Sequence, residues 1–322
     1  MRAIRIHETG GPEVMRYEEV ALAEPGPGQV RVKVAATGLN YIETYQRTGL
    51  YQVPLPFTPG GEFAGTVDAL GPDVSGWSVG DRVATASGAG GYAEYALAPA
   101  DKLVAVPEGI DLSQAAAVML QGMTAHYLVY STYPLKAGDT CLIHAAAGGV
   151  GLLLTQIASR AGARVIGTAG TAEKAELARA AGASEVILYR DEAFPPRVRE
   201  LTGGRGVDVV YDSVGKDTWD GSLDCLRPRG MMVSFGNASG PVPPVSPLTL
   251  SAKGSIFLTR PTLWHYIATP EELAWRAGDL FSWIASGELG VRVDRSFATA
   301  DAPAAHIAIQ SRATAGKVLL VP

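Results

Sequence analysis

The run from Cys141 to Thr168, CLIHAAAGGVGLLLTQIASRAGARVIGT, constrains the fold more than any other stretch of the chain. A short apolar segment, TCLIHA, meets a turn carrying Gly148, Gly149 and Gly151. Val150, Leu153, Leu154, Ile157, Ala158 and Ala161 then recur at helical spacing, and Gly162 stands where a helix C-terminus belongs. Strand, glycine turn and helix in that order leave backbone N–H groups unpaired at a helix N-terminus, where the peptide dipoles favour a phosphate. The frame Ala146-Ala147-Gly148-Gly149-Val150-Gly151 is the dinucleotide fingerprint G-x-G-x-x-G with alanine at its first glycine. Such a turn can serve packing alone; its place between a strand and a helix favours the nucleotide.

The texture around this run changes along the chain. Up to about Val106 the sequence is rich in valine, glycine and proline, with short alternating runs (QVRVKVAA, EFAGTVDAL, GYAEYALA) separated by turn signals. This predicts a compact, mostly β domain. From about Thr124 strands alternate with helices. The strands are expected at Thr140–Ala145, Arg164–Thr168, Glu185–Tyr189, Val207–Ser213, Gly230–Phe235 and Ser255–Thr259. The fold class is therefore α/β, a doubly wound parallel sheet beside a β-rich domain. Near the end EELAWRAGDLFSWIASGEL reads as a helix and GKVLLVP as a strand. The expected domains are 1–123, 124–260, and a segment 261–322 that rejoins the first, with a cleft between the two halves.

Composition narrows the function classes. A net charge of −5 over 322 residues argues against general nucleic-acid or membrane-surface binding. No apolar run reaches membrane-span length, and the N-terminal MRAIRIHETGGPEV lacks the apolar core of a signal peptide. Cys141 and Cys225 lie in apolar segments, as expected of small core residues in a reducing cytoplasm, and two cysteines cannot build a four-thiolate zinc site. His144, inside the first strand of the α/β half, reads as a satisfied core histidine.

Which nucleotide fits is decided about 20 residues beyond the turn, where NAD enzymes usually place an acid for the ribose 2′-OH. Here the second strand ends in VIGTAGTAEK, with no acid from Thr168 through Gly170 to Thr171. A carboxylate would repel a 2′-phosphate, and its absence leaves room for one. Lys174 lies just beyond, where its ammonium could pair with that phosphate or, equally, with Glu173 or Glu176.

HAAAGGVGLLLTQIA, IGTAGTAEKAELA, YDSVGKDTWDGSLDCLRPRGMMVSFGNASG, GLNYIETYQRTGLY, FTPGGEFAGTV, VGDRVA and QSRATAGKVLLVP together resemble the NADPH-dependent quinone oxidoreductases. These form the zinc-free, zeta-crystallin-like branch of the medium-chain dehydrogenase/reductases, and the similarity runs from end to end, closest to the bacterial members. The resemblance implies a GroES-like domain, a Rossmann domain, NADPH in the cleft, and a homodimer paired through the Rossmann sheet edge near Gly254–Arg260. Zinc alcohol dehydrogenases of the superfamily carry a cysteine in the segment matching TGLNY and Gly-His-Glu in that matching PGGEFAG. This chain has Asn40 in the first and Gly60-Gly61-Glu62 in the second, so no metal is expected.

By the same resemblance Asn40 contacts the nicotinamide side of the cofactor, Tyr45 and Tyr51 line the quinone pocket, and Thr124 lies near the nicotinamide. Their other readings are a turn residue for Asn40, packing for the tyrosines, and helix capping for Thr124. Ala146, Gly148, Gly149 and Val150 belong to the pyrophosphate turn. Tyr189 and Ser213 end the third and fourth strands, where ligands sit in an open parallel sheet, and are expected at the adenosine phosphate and the adenine. Phe235, Gly236 and Asn237 end the next and are expected at the nicotinamide ribose; Arg312 matches a position near the phosphates. The expected reaction is hydride transfer from NADPH to a bound quinone, with single-electron transfer left open and the proton donor unassigned between Tyr45, Tyr51 and solvent. A reductase of enone or enal double bonds is the nearest rival; an NADPH-binding structural or RNA-binding protein is a minor one.

Overall fold

The computed structural model describes residues 1–322, which divide into two compact units. The first comprises Met1–Met123 and Tyr266–Pro322; the second is Thr124–His265. The chain thus returns to the first unit at Tyr266 and not at 261.

In the first unit β1 (Arg2–Ile6) and β2 (Met15–Glu19) form an antiparallel pair. β3 (Gln29–Leu39) leads into a short helix α1 (Tyr41–Arg47), followed by β4 (Phe63–Leu70), β5 (Arg82–Thr85), β6 (Tyr95–Pro99), β7 (Val104–Ala105) and helix α2 (Leu112–Tyr127), whose residues from Thr124 on belong to the second unit. The alternation read from QVRVKVAA is the pleat of β3: Val30, Val32, Val34 and Ala36 are buried, and Val30, Val32 and Val34 pack with Phe63, Val67, Val83, Ala96 and Ala98. Thr124 stands inside α2, whose end continues as a π-helical turn over Leu128–Thr132, so it caps nothing.

The second unit holds β8 (Thr140–Ile143), α3 (Gly149–Arg160), β9 (Arg164–Ala169), α4 (Ala172–Ala180), β10 (Glu185–Leu188), α5 (Phe194–Leu201), β11 (Val207–Asp212), α6 (Trp219–Cys225), β12 (Leu226–Ser234), α7 (Pro247–Ala252) and β13 (Phe257–Thr259). All six strands are parallel, in the order β10-β9-β8-β11-β12-β13. Leu142, Ile166, Val210 and Met232 share one face and pack with Val198 of α5 and Trp219 and Leu223 of α6. Their neighbours in sequence, Cys141, Val165, Val209 and Val233, are just as buried and point to the other face. A sheet buried on both faces explains why these strands read as continuous apolar runs. The order reverses between β8 and β11, and ligands of open α/β sheets bind beyond the strand ends at such a reversal.

The chain then re-enters the first unit through α8 (Pro270–Ala285), β14 (Val293–Ala298), α9 (Ala302–Gln310) and β15 (Lys317–Val321). α8 starts on a capping box, with the Thr269 side chain accepting from Glu272 N. β15 pairs antiparallel with β3, Val318 opposite Leu39, and completes a seven-stranded sheet. No helix is long and apolar enough to cross a membrane.

Candidate functional site

In the second unit the glycine turn joins β8 to α3. Ala145 takes a left-handed backbone (φ +50°), and its carbonyl accepts from Gly148 N at 2.8 Å. Gly148 is the N-cap of α3 and has no side chain to cap the N–H groups of Gly149, Val150 and Gly151, which the helix itself leaves unpaired. A Cβ on Gly151 would lie 2.2 Å from the Ala145 carbonyl, so only glycine lets α3 sit this close to the turn. On Gly148 a Cβ would meet only atoms of Ala145, at 3.1 and 3.9 Å. That cradle is open to an anion and suits a pyrophosphate, so the residues present fit a dinucleotide.

The structure brings several of the expected residues together around the same sheet end. Gly170 faces Tyr189: a Cβ at Gly170 would be 2.7 Å from the tyrosine hydroxyl. Thr171 caps α4 and accepts from Lys174 N, which places Lys174 in the first turn of that helix. Past β11, Asp212 Oδ1 accepts from Val214 N and Gly215 N at 2.8 and 3.0 Å, curling the chain around Ser213. Gly236 packs against that bend, where a Cβ would be 2.3 Å from the Ser213 carbonyl, and Phe235 N donates to Asp212 O. Sequence reasoning missed two cations here. Arg260, just beyond β13, donates to Ser234 O at 3.0 Å, and with the Asn237 amide turned to suit its surroundings also to Asn237 Oδ1 at 3.2 Å. Arg190 brings its Nε near the Gly170–Tyr189 contact, 3.4 Å from a Gly170 Cβ. The signal for Arg190 was its place next to Tyr189; Arg260 lay in a segment read only as a sheet edge.

The first unit carries the other expected residues. Tyr45 and Tyr51 are brought together, their rings edge to face at 5.2 Å. Arg312 (φ +60°) is an exposed residue of this unit, after α9. Asn40 follows β3; the register places it beside Lys317 on β15, and it stands two residues past Gly38, whose N donates to Glu62 O at 2.9 Å. Three strand ends thereby converge on one buried polar group. Asn40 Nδ2 donates to Gly38 O (3.1 Å) and Glu62 Oε2 (2.7 Å), and Asn40 Oδ1 accepts from Gln121 Nε2 (3.1 Å) and Lys317 Nζ (2.8 Å). An asparagine amide has two donors and two acceptor sites, so Asn40 is saturated within its own unit and 5% exposed.

Glu62 is engaged just as fully. Lys317 Nζ stands 2.5 Å from its Oε2, and Leu120 N donates to its Oε1 at 2.7 Å. A Cβ on Gly38 would fall 2.3 Å from Glu62 Oε2, so the glycine of TGLNY makes room for the carboxylate. Zinc does not fit here. Of the two carboxylates in contact with Asn40, Glu62 is already neutralised by an ammonium and Glu43 is engaged by the Asn40 backbone N–H, and no group of three or more His, Cys, Asp or Glu could hold a metal ion. Both cysteines are buried in the second unit, with thiols that burial makes hard to ionise, Cys225 pushed up to about 12.

Comparisons with known proteins agree with this architecture. Residues 26–108 match the alcohol dehydrogenase GroES-like domain, and residues 149–271 match the zinc-binding dehydrogenase family. A quinone oxidoreductase of Pseudomonas aeruginosa is 51% identical, over 100% of this chain and 99% of that one. A 2-haloacrylate reductase of a Burkholderia species is 45% identical over 98% of both. The crystal structure of Escherichia coli quinone oxidoreductase complexed with NADPH covers 100% of both chains at 47% identity, with a TM-score of 0.98. A Rossmann-ordered sheet with an open glycine cradle, a GroES-like unit, and this likeness along the whole length place the chain in the quinone oxidoreductase family of the medium-chain dehydrogenase/reductases.

Proposed function

We propose that this chain is an NADPH:quinone oxidoreductase that works without a bound metal. The observation that carries the proposal is its full-length likeness to quinone oxidoreductases, including one solved with NADPH. The site is consistent with it. NADPH, when bound, supplies the hydride. The cradle at Gly148, Gly149 and Val150 takes the pyrophosphate, Gly170 and Thr171 leave the 2′-phosphate unopposed, and Lys174 pairs with that phosphate, with Tyr189 and Arg190 beside it. Ser213, Phe235, Gly236 and Asn237 line the nucleotide further along the sheet end, and Arg312 and Thr124 complete its contacts. Tyr45 and Tyr51 offer aromatic faces for a planar acceptor. A quinone accepts hydride without strong acid assistance, so alignment is the main demand, and orienting two bound reactants contributes roughly 7–11 kcal/mol toward a barrier. Asn40, saturated internally, fixes the start of α1 and so the helix that carries Tyr45.

A second reading, reduction of an activated carbon–carbon double bond, is favoured by the haloacrylate reductase relative. Parallel assays of NADPH oxidation with 1,4-benzoquinone and with an enone separate the two. We expect faster turnover with the quinone; activity on the enone alone would overturn that choice.

The proposal extends to a cytoplasmic homodimer. β13 is an unpaired sheet edge with Phe257 and Leu258 58% and 37% exposed, and Leu248 of α7 is exposed too. Sedimentation at micromolar concentration should give twice the chain mass, and Phe257→Lys should return a monomer.

A further inference from the structure

His144 follows β8 and is buried, as are Thr168, Ser222 and Asp212. Its Nδ1 lies 3.1 Å from Thr168 Oγ1, and its Nε2 lies 3.0 Å from Ser222 Oγ. Ser222 Oγ is 2.8 Å from Asp212 Oδ2, and Ala145 N points at Thr168 Oγ1 from 3.3 Å. The direction of every bond follows from one end. Asp212 receives backbone N–H groups from Val214 and Gly215 and a hydroxyl from Thr218, so it acts as an acceptor and the Ser222 proton must lie between the two oxygens. Ser222 Oγ then accepts, so His144 carries its proton on Nε2. Nδ1 is left as an acceptor, so Thr168 donates to it and in turn accepts from Ala145 N–H. The chain runs one way: Ala145, Thr168, His144, Ser222, Asp212.

We propose that His144 is a positioning residue for the cofactor turn, holding the left-handed Ala145 peptide in register with the bend around Ser213 through this one-way chain. Left-handed backbone at a non-glycine residue costs free energy and persists only where surroundings hold it. At Ala145 the carbonyl is held by Gly148 N and the N–H by Thr168. At its far end the chain reaches Asp212, which shapes the bend that presents Ser213. One imidazole therefore ties together both strand ends flanking the reversal of the sheet. This inference rests on the reading that the glycine turn holds NADPH.

Two measurements test it. In wild-type protein labelled with 15N-histidine, long-range proton–nitrogen correlation should show His144 as the neutral Nε2–H form; the Nδ1–H form or a cation at pH 7 would overturn the chain. Thr168→Val, which keeps the shape and removes the hydroxyl, should raise the NADPH dissociation constant about tenfold with kcat changed less than about twofold, and Thr168→Ser should restore affinity. Lys174→Ala serves as the control. If it weakens NADPH binding while Thr168→Val does not, the positioning role falls and the site stands. If neither variant changes binding, the site reading falls and the inference with it.

Discussion

Each of the two units buries a polar network beside a strand end, and the two networks differ in where they carry charge. In the first unit a full charge pair, Glu62 and Lys317, holds Asn40. In the second, three neutral side chains, Thr168, His144 and Ser222, pass hydrogen bonds one way from Ala145 to the Asp212 carboxylate. The difference concerns what each must do. Asn40 has to be clamped from three strands at once, and charge-assisted bonds are strong enough to saturate a buried amide. On the proposed function the glycine turn offers bare N–H groups to an anion, and the relay keeps neutral side chains next to the turn, with its one charge at the far end on Asp212.

Cutting each network tests that contrast, and the charged one should suffer most. Lys317→Ala leaves the Glu62 carboxylate buried without its cation and should cost about 3–5 kcal/mol in urea unfolding. Adding Glu62→Gln should recover part of the loss. Ser222→Ala leaves the Asp212 carboxylate with its donors from Val214, Gly215 and Thr218 and should cost less, about 1.5–3 kcal/mol. Equal losses would erase the distinction.

Acid and base should also separate in the first unit. His306 is buried, accepts from Arg47 and contacts the Tyr92 hydroxyl; burial and the Arg47 charge lower it from 6.5 to about 3. The unfolded chain therefore binds a proton that the folded one refuses. The stability this neutral imidazole contributes is complete above pH 6.5 and is lost as pH falls toward 3, by a few kcal/mol. Glu43, whose Oε2 accepts from Asn40 N, is raised by burial from 4.5 to about 7. Its contribution is complete below pH 4.5 and is lost as pH rises through 7, by about 3 kcal/mol. Between 4.5 and 6.5 the two oppose each other, so unfolding followed against pH should fall off on both sides, and Glu43→Gln should remove the alkaline loss alone.

How much was legible in the sequence differs between the two networks for the same reason. Strand, turn and helix in the second unit are local patterns, and all six expected strands appear with small shifts; β12 begins earlier, at Leu226, because that residue pairs with Val207 of β11 ahead of a register shift. His144 was legible as a buried histidine, but its partners lie 24 and 78 residues away. In the first unit GKVLLVP reads as a strand, yet nothing in it says that Lys317 meets a carboxylate 255 residues distant. Only the β15–β3–β4 register brings them together, and register between distant strands leaves no periodic trace. Asn40 is legible as the residue that follows a strand, but its four side-chain hydrogen bonds are not.

The central claim is that the NADPH phosphates dock at the glycine turn and the helix that follows it, with Lys174 reading the 2′-phosphate. The most direct test is calorimetric titration of NADPH and NADH into wild type and Lys174→Ala. The account predicts about tenfold weaker NADPH binding in the variant, with NADH changed less than about twofold. Equal weakening of both, or no effect on either, would contradict it.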